Sequence, residues 1–212
     1  MSISAPYSTT EELLHTITHA VGAILSLAGL LLMLNLPSVQ QNTIYLMSSV
    51  IYGLSLVLMY SSSTLYHASK NIVVKNWFRQ LDHAAIFVLI AGTYTPFTLI
   101  SLRNDWGLTL FCIIWAIAVI GVAIELGSKL KYKKLSLALY LGMGWLVIFA
   151  INPILNNVAI EAIWLLLAGG LSYSIGVIFY VAKKLYMHHV IWHLFVLAGS
   201  VFHFLAILIY VL

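Results

Sequence analysis

The chain has 212 residues, of which 62% are hydrophobic and only 8% charged, with a mean hydropathy of +1.03, whereas an ordinary soluble domain carries about a quarter charged residues. A water-soluble fold is excluded; at about 20 apolar residues per crossing there is room for roughly seven spans with short connections and no separate soluble domain. The net charge of +4 does not imply nucleic acid, because the basic residues sit in short loops beside apolar runs, where they set orientation and meet anionic lipid.

In chain order, the opening MSISAPYSTTEELLH holds Glu11 and Glu12 but no Lys or Arg. It lacks the basic region of a cleavable signal peptide, so residues 1–16 are expected to be a short cytoplasmic segment before a first span that is retained. Apolar runs then predict spans from Ile17 to Leu36, Ile44 to Tyr66, Asp82 to Leu102, Leu108 to Leu126, Leu135 to Ile151, Ala159 to Val181 and Val190 to Leu212. The fifth is the weakest, because Asn152 and Pro153 cut it short. Pro96 predicts a bend in the outer half of the third span, with neighbouring helices or Thr93 and Thr95 available to resatisfy the freed carbonyl. Gly22, Gly29, Gly121, Gly142, Gly144, Gly169 and Gly170 fall within spans, where small residues let helices approach closely. Cys112 is the only cysteine, so no internal disulfide forms, and a packed thiol is expected.

Charge counting tests the parity. The connections after spans two, four and six hold Lys70, Lys75, Arg79, Lys129, Lys131, Lys133, Lys134, Lys183 and Lys184, whereas the opposite loops hold only Arg103. Since Lys and Arg concentrate in cytoplasmic loops, this predicts a single all-α domain over 1–212, a seven-transmembrane helix bundle with its N-terminus cytoplasmic and its C-terminus outside.

Ionisable side chains at membrane depth are costly, so each is a candidate site. Ser63 and His67 close span two, Asp82 and His83 open span three, and His188, His189 and His193 open span seven, all at the cytoplasmic side. His189 and His193 are spaced i, i+4, which stacks them on one helical face as two ligands of one metal require. Three histidines around zinc leave a fourth position for water, the arrangement of catalytic sites. HVIWH lacks the glutamate of the HExxH helix, so a general base must come from another element, and Asp82 is the candidate. Each signal has a plainer reading. A histidine at a helix end ordinarily snorkels or hydrogen-bonds, Asp82 can pair with Arg79 or sit at a helix start for the dipole's sake, and Ser63 can bond its own backbone. His15 and His19 share the i, i+4 spacing at the start of span one and are rival ligands. His203 is about 15 Å further along its helix than His193, so it is expected to be a buried, hydrogen-bonded residue, His83 a packing residue, and Glu125 a solvated one.

THAVG in span one, SSSTLYH closing span two, LDHAAIFVLIAGTYTPF through span three and HVIWHLFVLAGSVFHF in span seven together resemble the haemolysin III family, the bacterial branch of the progestin and adiponectin receptor superfamily. The resemblance covers nearly the whole chain. It implies a multi-pass protein of the bacterial inner membrane, with zinc near the cytoplasmic face held by His67, His189 and His193, Asp82 contacting the metal-bound water and Ser63 nearby. The alkaline ceramidases of the wider superfamily suggest hydrolysis of a lipid amide or ester, with membrane lipids as partners, a fatty acyl chain among the helices, and a role in lipid homeostasis. A short N-terminal segment and an end at Leu212 argue against a protein-hormone ligand. Two other readings stand beside this one: a structural zinc in a membrane sensor, and a haemolysin-like pore former, the latter disfavoured because the spans show no continuous polar face.

Overall fold

The computed structural model describes residues 7–104, 106–128 and 130–212. The first six residues of the expected N-terminal segment, and Lys129 among the lysines counted for orientation, lie outside them. Seven helices long and apolar enough to cross a membrane follow in order: Thr9–Leu34, Thr43–Ala68, Ile72–Ser101, Gly107–Ser128, Lys133–Asn157, Ile160–Val181 and His188–Tyr210. No strand occurs among the described residues.

Two spans begin well before the apolar runs that announce them. The first starts at Thr9, where a capping box forms: the Glu11 N–H donates to Ser8 Oγ at 3.3 Å and the Ser8 N–H donates to the Glu11 carboxylate at 2.9 Å. Residues 9–16, read from sequence as a segment ahead of the membrane, are therefore helical. The third starts at Ile72, capped by Asn71 Oδ1, which accepts from Val73 N–H at 2.9 Å and Val74 N–H at 3.2 Å. Lys75, Asn76, Arg79 and Gln80 interrupt its hydropathy without interrupting the helix. Asp82 consequently lies nearly three turns inside this helix rather than at its start, so the helix dipole does not account for it. Nor does Arg79: the ion pairs found among the described residues all converge on Glu12.

The fifth span runs past Asn152 and Pro153 to Asn157, but in pieces: α-helix over Lys133–Gly144, a 3-10 stretch over Leu146–Ala150, and α-helix over Ile151–Asn157. Pro153 is tolerated because it falls in the first turn of the last piece, where no intrahelical N–H is needed. The break exposes backbone groups, and Tyr94 of the third span meets them. Its hydroxyl donates toward the carbonyls of Met143 and Gly144, each at 3.0 Å, and accepts the Val147 N–H at 3.0 Å. Pro96 acts differently from the expected simple bend. The third span changes to a π-helical turn over Phe97–Ser101, and Thr93 and Thr95 bond the Leu89 and Ala91 carbonyls rather than the Gly92 carbonyl that the proline leaves without a donor.

The first and second spans pack together, the second on the third, the third on the fourth, and the seventh on both the sixth and the first. Of the glycines, Gly22, Gly29, Gly121 and Gly169 admit Tyr60, Phe204, Phe87 and His203 into space that a Cβ would fill. Gly142 and Gly144 face open space, and Gly170 lies at ordinary contact distance from Trp145. Large apolar side chains cover the outside, Phe149 being 81% and Ile24 69% exposed, while His15, His19, Ser48, Ser49, Ser63, His67 and Thr95 are buried inside. This inversion of the soluble pattern is what a lipid solvent selects. Two further expectations are overturned. Cys112 is exposed on the outer surface rather than packed. Glu125 is buried, 1% exposed, with the Tyr140 hydroxyl 3.4 Å from its Oε1.

Candidate metal centre

Three helix ends build the site. His67 sits in the last turn of the second span, where Ser69 caps the backbone. His189 and His193 occupy the first two turns of the seventh. That helix opens after Met187, which has a left-handed backbone at φ 58°. His188 anchors the turn, its Nδ1 donating to the Phe179 carbonyl at 3.1 Å. One ligand atom from each of His67, His189 and His193 lies within 4.8 Å of the other two. The i, i+4 pair and the second-span histidine, far apart in the chain, thus meet in space.

The donor chemistry suits a borderline-soft divalent cation. Three neutral imidazoles are the donor type zinc takes, and the buried His67 Nε2 and His189 Nδ1 have no hydrogen-bond partner. Buried polar atoms are ordinarily paired, so these orphans mark a place where another group belongs. The first span, a rival from sequence, is part of the same cluster. His15 is fully buried, and the six ring-centroid separations among His15, His67, His189 and His193 fall between 4.6 and 5.4 Å. His19 stacks on His193 with centroids 3.5 Å apart. Tyr7 covers the cluster from outside, 4.8 Å from His15 and 5.2 Å from His189 by centroid. Its burial, with the Tyr66 hydroxyl near it, pushes its phenol above the ordinary range, so it remains protonated.

Glu12, in the sequence one of two acidic residues in the opening segment, is the hub of the outer side. Its Oε2 accepts from His67 Nδ1 at 2.7 Å, its Oε1 pairs with Lys75 Nζ at 2.8 Å, and His15 Nδ1 stands 3.9 Å from Oε2. Glu12, His15 and His67 form a second set of close ligand atoms. Their signal was present as the i, i+3, i+7 spacing of Glu12, His15 and His19, which becomes one helical face once the first helix is extended back to Thr9. Thr18 adds a contact that no spacing announces, its hydroxyl lying 3.1 Å from His193 Nδ1.

On the inner side, His189 and His193 form part of the wall of a cavity of about 150 Å³, shared with His19, Ser63, Asp82 and His83. Ser63 neighbours the Asp82 carboxyl, while Ser62, one residue earlier, returns its hydroxyl to the Met59 carbonyl at 2.9 Å. His67 is not on this wall, although its ligand atom lies within 4.8 Å of those of His189 and His193. The cavity continues between apolar side chains such as Ile86, Leu89, Leu137, Leu141 and Val196 as far as Trp145 and His203. His203 donates from Nε2 to the Leu166 carbonyl at 3.1 Å while its buried Nδ1 has no partner, and the His83 carbonyl accepts the Tyr140 hydroxyl at 2.9 Å.

A seven-helix apolar bundle enclosing a buried histidine cluster at the ends of three spans defines a multi-pass membrane protein with a candidate metal centre. Comparison gives the lineage: residues 7–204 match the family described as haemolysin-III related, and the chain belongs to the haemolysin III family. It is 44% identical to Hemolysin-3 of Bacillus cereus over 202 residues, 95% of this chain and 92% of that protein. With the Hemolysin-3 homolog of Bacillus subtilis it shares 39% identity over 204 residues, 96% of each. A more distant similarity, 29% over 163 residues, 74% of this chain and 67% of the relative, links it to the human monocyte to macrophage differentiation factor and agrees with the wider receptor superfamily. A multi-pass location in a bacterial cell membrane fits both the family and the seven apolar helices.

Proposed function

We propose that this protein is a zinc-dependent hydrolase of lipid amides or esters that acts on membrane lipid, with the N-terminus and the site at the cytoplasmic face. The observation that carries the proposal is the joint wall of one cavity, where His189 and His193 meet Asp82 and Ser63 and an apolar passage begins. His67, His189 and His193 would hold the ion. Zinc bound there supplies Lewis-acid polarisation and lowers the pKa of water to about 7. The chain's own residues do the rest. The Asp82 carboxylate accepts the proton given up by the attacking water and passes it to the leaving group. The Ser63 hydroxyl donates to the oxygen on which negative charge develops. The apolar walls take the acyl chain, which fixes the carbonyl between them and keeps bulk water out. Purified protein is expected to carry one zinc. His189→Ala removes both metal and turnover, while Asp82→Asn keeps the metal and loses turnover, as read by metal analysis and lipid mass spectrometry of matched membranes. Turnover that survives loss of the metal refutes the mechanism.

A second reading has an observation of its own. His15 stands at the same distance from the three histidines as they stand from each other, and a fourth imidazole would close the coordination sphere, which is the mark of a structural site. In that case zinc clamps the first, second and seventh spans in a sensor or regulator. His15→Ala then releases the metal and Asp82→Asn leaves the phenotype intact, the opposite of the hydrolase outcome.

A further inference from the structure

Within the zinc reading, the ring nitrogens of the candidate ligands can be followed proton by proton. A neutral imidazole carries one N–H and one lone pair, and only the lone pair can hold a metal. Glu12, paired through Oε1 with Lys75 at 2.8 Å, offers His67 an acceptor and no donor, so the nitrogen 2.7 Å from its Oε2, Nδ1, carries the proton. Thr18 has a single hydroxyl hydrogen, and its shortest contact is the Leu14 carbonyl of its own helix at 2.8 Å, with the His15 carbonyl at 3.0 Å. What it presents to His193 Nδ1 at 3.1 Å is a lone pair, so that nitrogen also carries the proton. Both rings are thereby left with the lone pair on Nε2, and His67 Nε2 is buried without a partner.

We propose that the first span sets the tautomers of the metal centre: Glu12 and Thr18 are positioning residues that hold His67 and His193 as Nδ1–H imidazoles with Nε2 turned to the ion, and Lys75 holds Glu12 in place. The proposal rests on His67 and His193 being ligands. The two contacts are made by one helix, six residues and about 9 Å apart along its axis, so a single rigid element addresses both other helices. Outer partners of this kind orient ligand histidines and raise their basicity, and their loss costs about 10–100-fold in metal affinity.

The test uses the purified full-length chain, with zinc affinity measured by competition against a chelator and histidine tautomers read by nitrogen NMR of the metal-free protein. Glu12→Leu and Thr18→Val are each expected to weaken zinc binding by about 10–100-fold, while Glu12→Asp and Thr18→Ser recover most of it. His67 and His193 are expected as Nδ1–H tautomers in the wild type, and as mixtures in the Leu and Val variants respectively. Wild-type zinc affinity in both variants, or Nε2–H tautomers in the wild type, overturns the proposal while leaving the zinc reading intact. If Glu12→Leu does not fold, Thr18→Val and the wild-type spectra decide alone. A wild-type chain that takes up no zinc overturns the metal reading and this proposal with it.

Discussion

The Tyr140 hydroxyl illustrates how acceptors are kept inside an apolar bundle. It donates to the His83 carbonyl at 2.9 Å and stands 3.4 Å from Oε1 of the buried Glu125. A buried acceptor that loses its donor bears the full desolvation cost, about 1–3 kcal/mol and more where charge is involved. Tyr140→Phe is therefore expected to destabilise the protein by about that amount, measured as a fall in thermal midpoint in detergent. From the sequence Glu125 looks like the polar end of a span, because hydropathy registers how apolar a stretch is and not which way its last turn faces. The histidines divide similarly. The i, i+4 spacing of His189 and His193 is a helix property and could be read directly. That His67 meets them, while His203 bonds the Leu166 carbonyl through Nε2, depends on how three helices dock.

Among the elements, the contact between the first and second spans is a close one. Gly22 lies against the ring of Tyr60, whose hydroxyl is fixed by bonds to Ser200 Oγ at 2.7 Å and the Val196 carbonyl at 3.3 Å. The ring cannot swing away freely. Gly22→Ala is expected to cost about 1–3 kcal/mol as overpacking, seen as a lower thermal midpoint, whereas Gly142→Ala, facing open space, leaves the midpoint unchanged or raises it. All the predicted spans exist as helices, since about 20 apolar residues can hardly do otherwise in lipid. Their ends were missed where capping and amphipathic turns extend a helix beyond its apolar run, as at Ser8 and Asn71. The fifth span reads as weak at Asn152 and Pro153, but its break falls earlier, after Gly144, where Tyr94 of another helix supplies the bonds that meet the freed backbone groups.

At the scale of the whole molecule, the uneven distribution of Lys and Arg predicts that the loop after the first span is outside and that after the fourth inside. In a Cys112→Ser background, Ser38→Cys is expected to react with a membrane-impermeant maleimide on intact cells, and Lys134→Cys only after permeabilisation. The reverse pattern would invert the orientation. The exposed Cys112 must be removed first, although lipid contact should slow its reaction.

Composition and hydropathic length alone determined that this chain is a helical membrane protein with seven crossings, because a bilayer offers the backbone no hydrogen-bond partner and so dictates helices of a fixed length. The placement of Glu12, His15 and Thr18 against His67 and His193 was decided only by tertiary structure. Those contacts join the first helix to the second and seventh, and which faces of separate helices meet is settled by the complementary shapes of glycines and aromatic rings, not by any period along one strand of sequence.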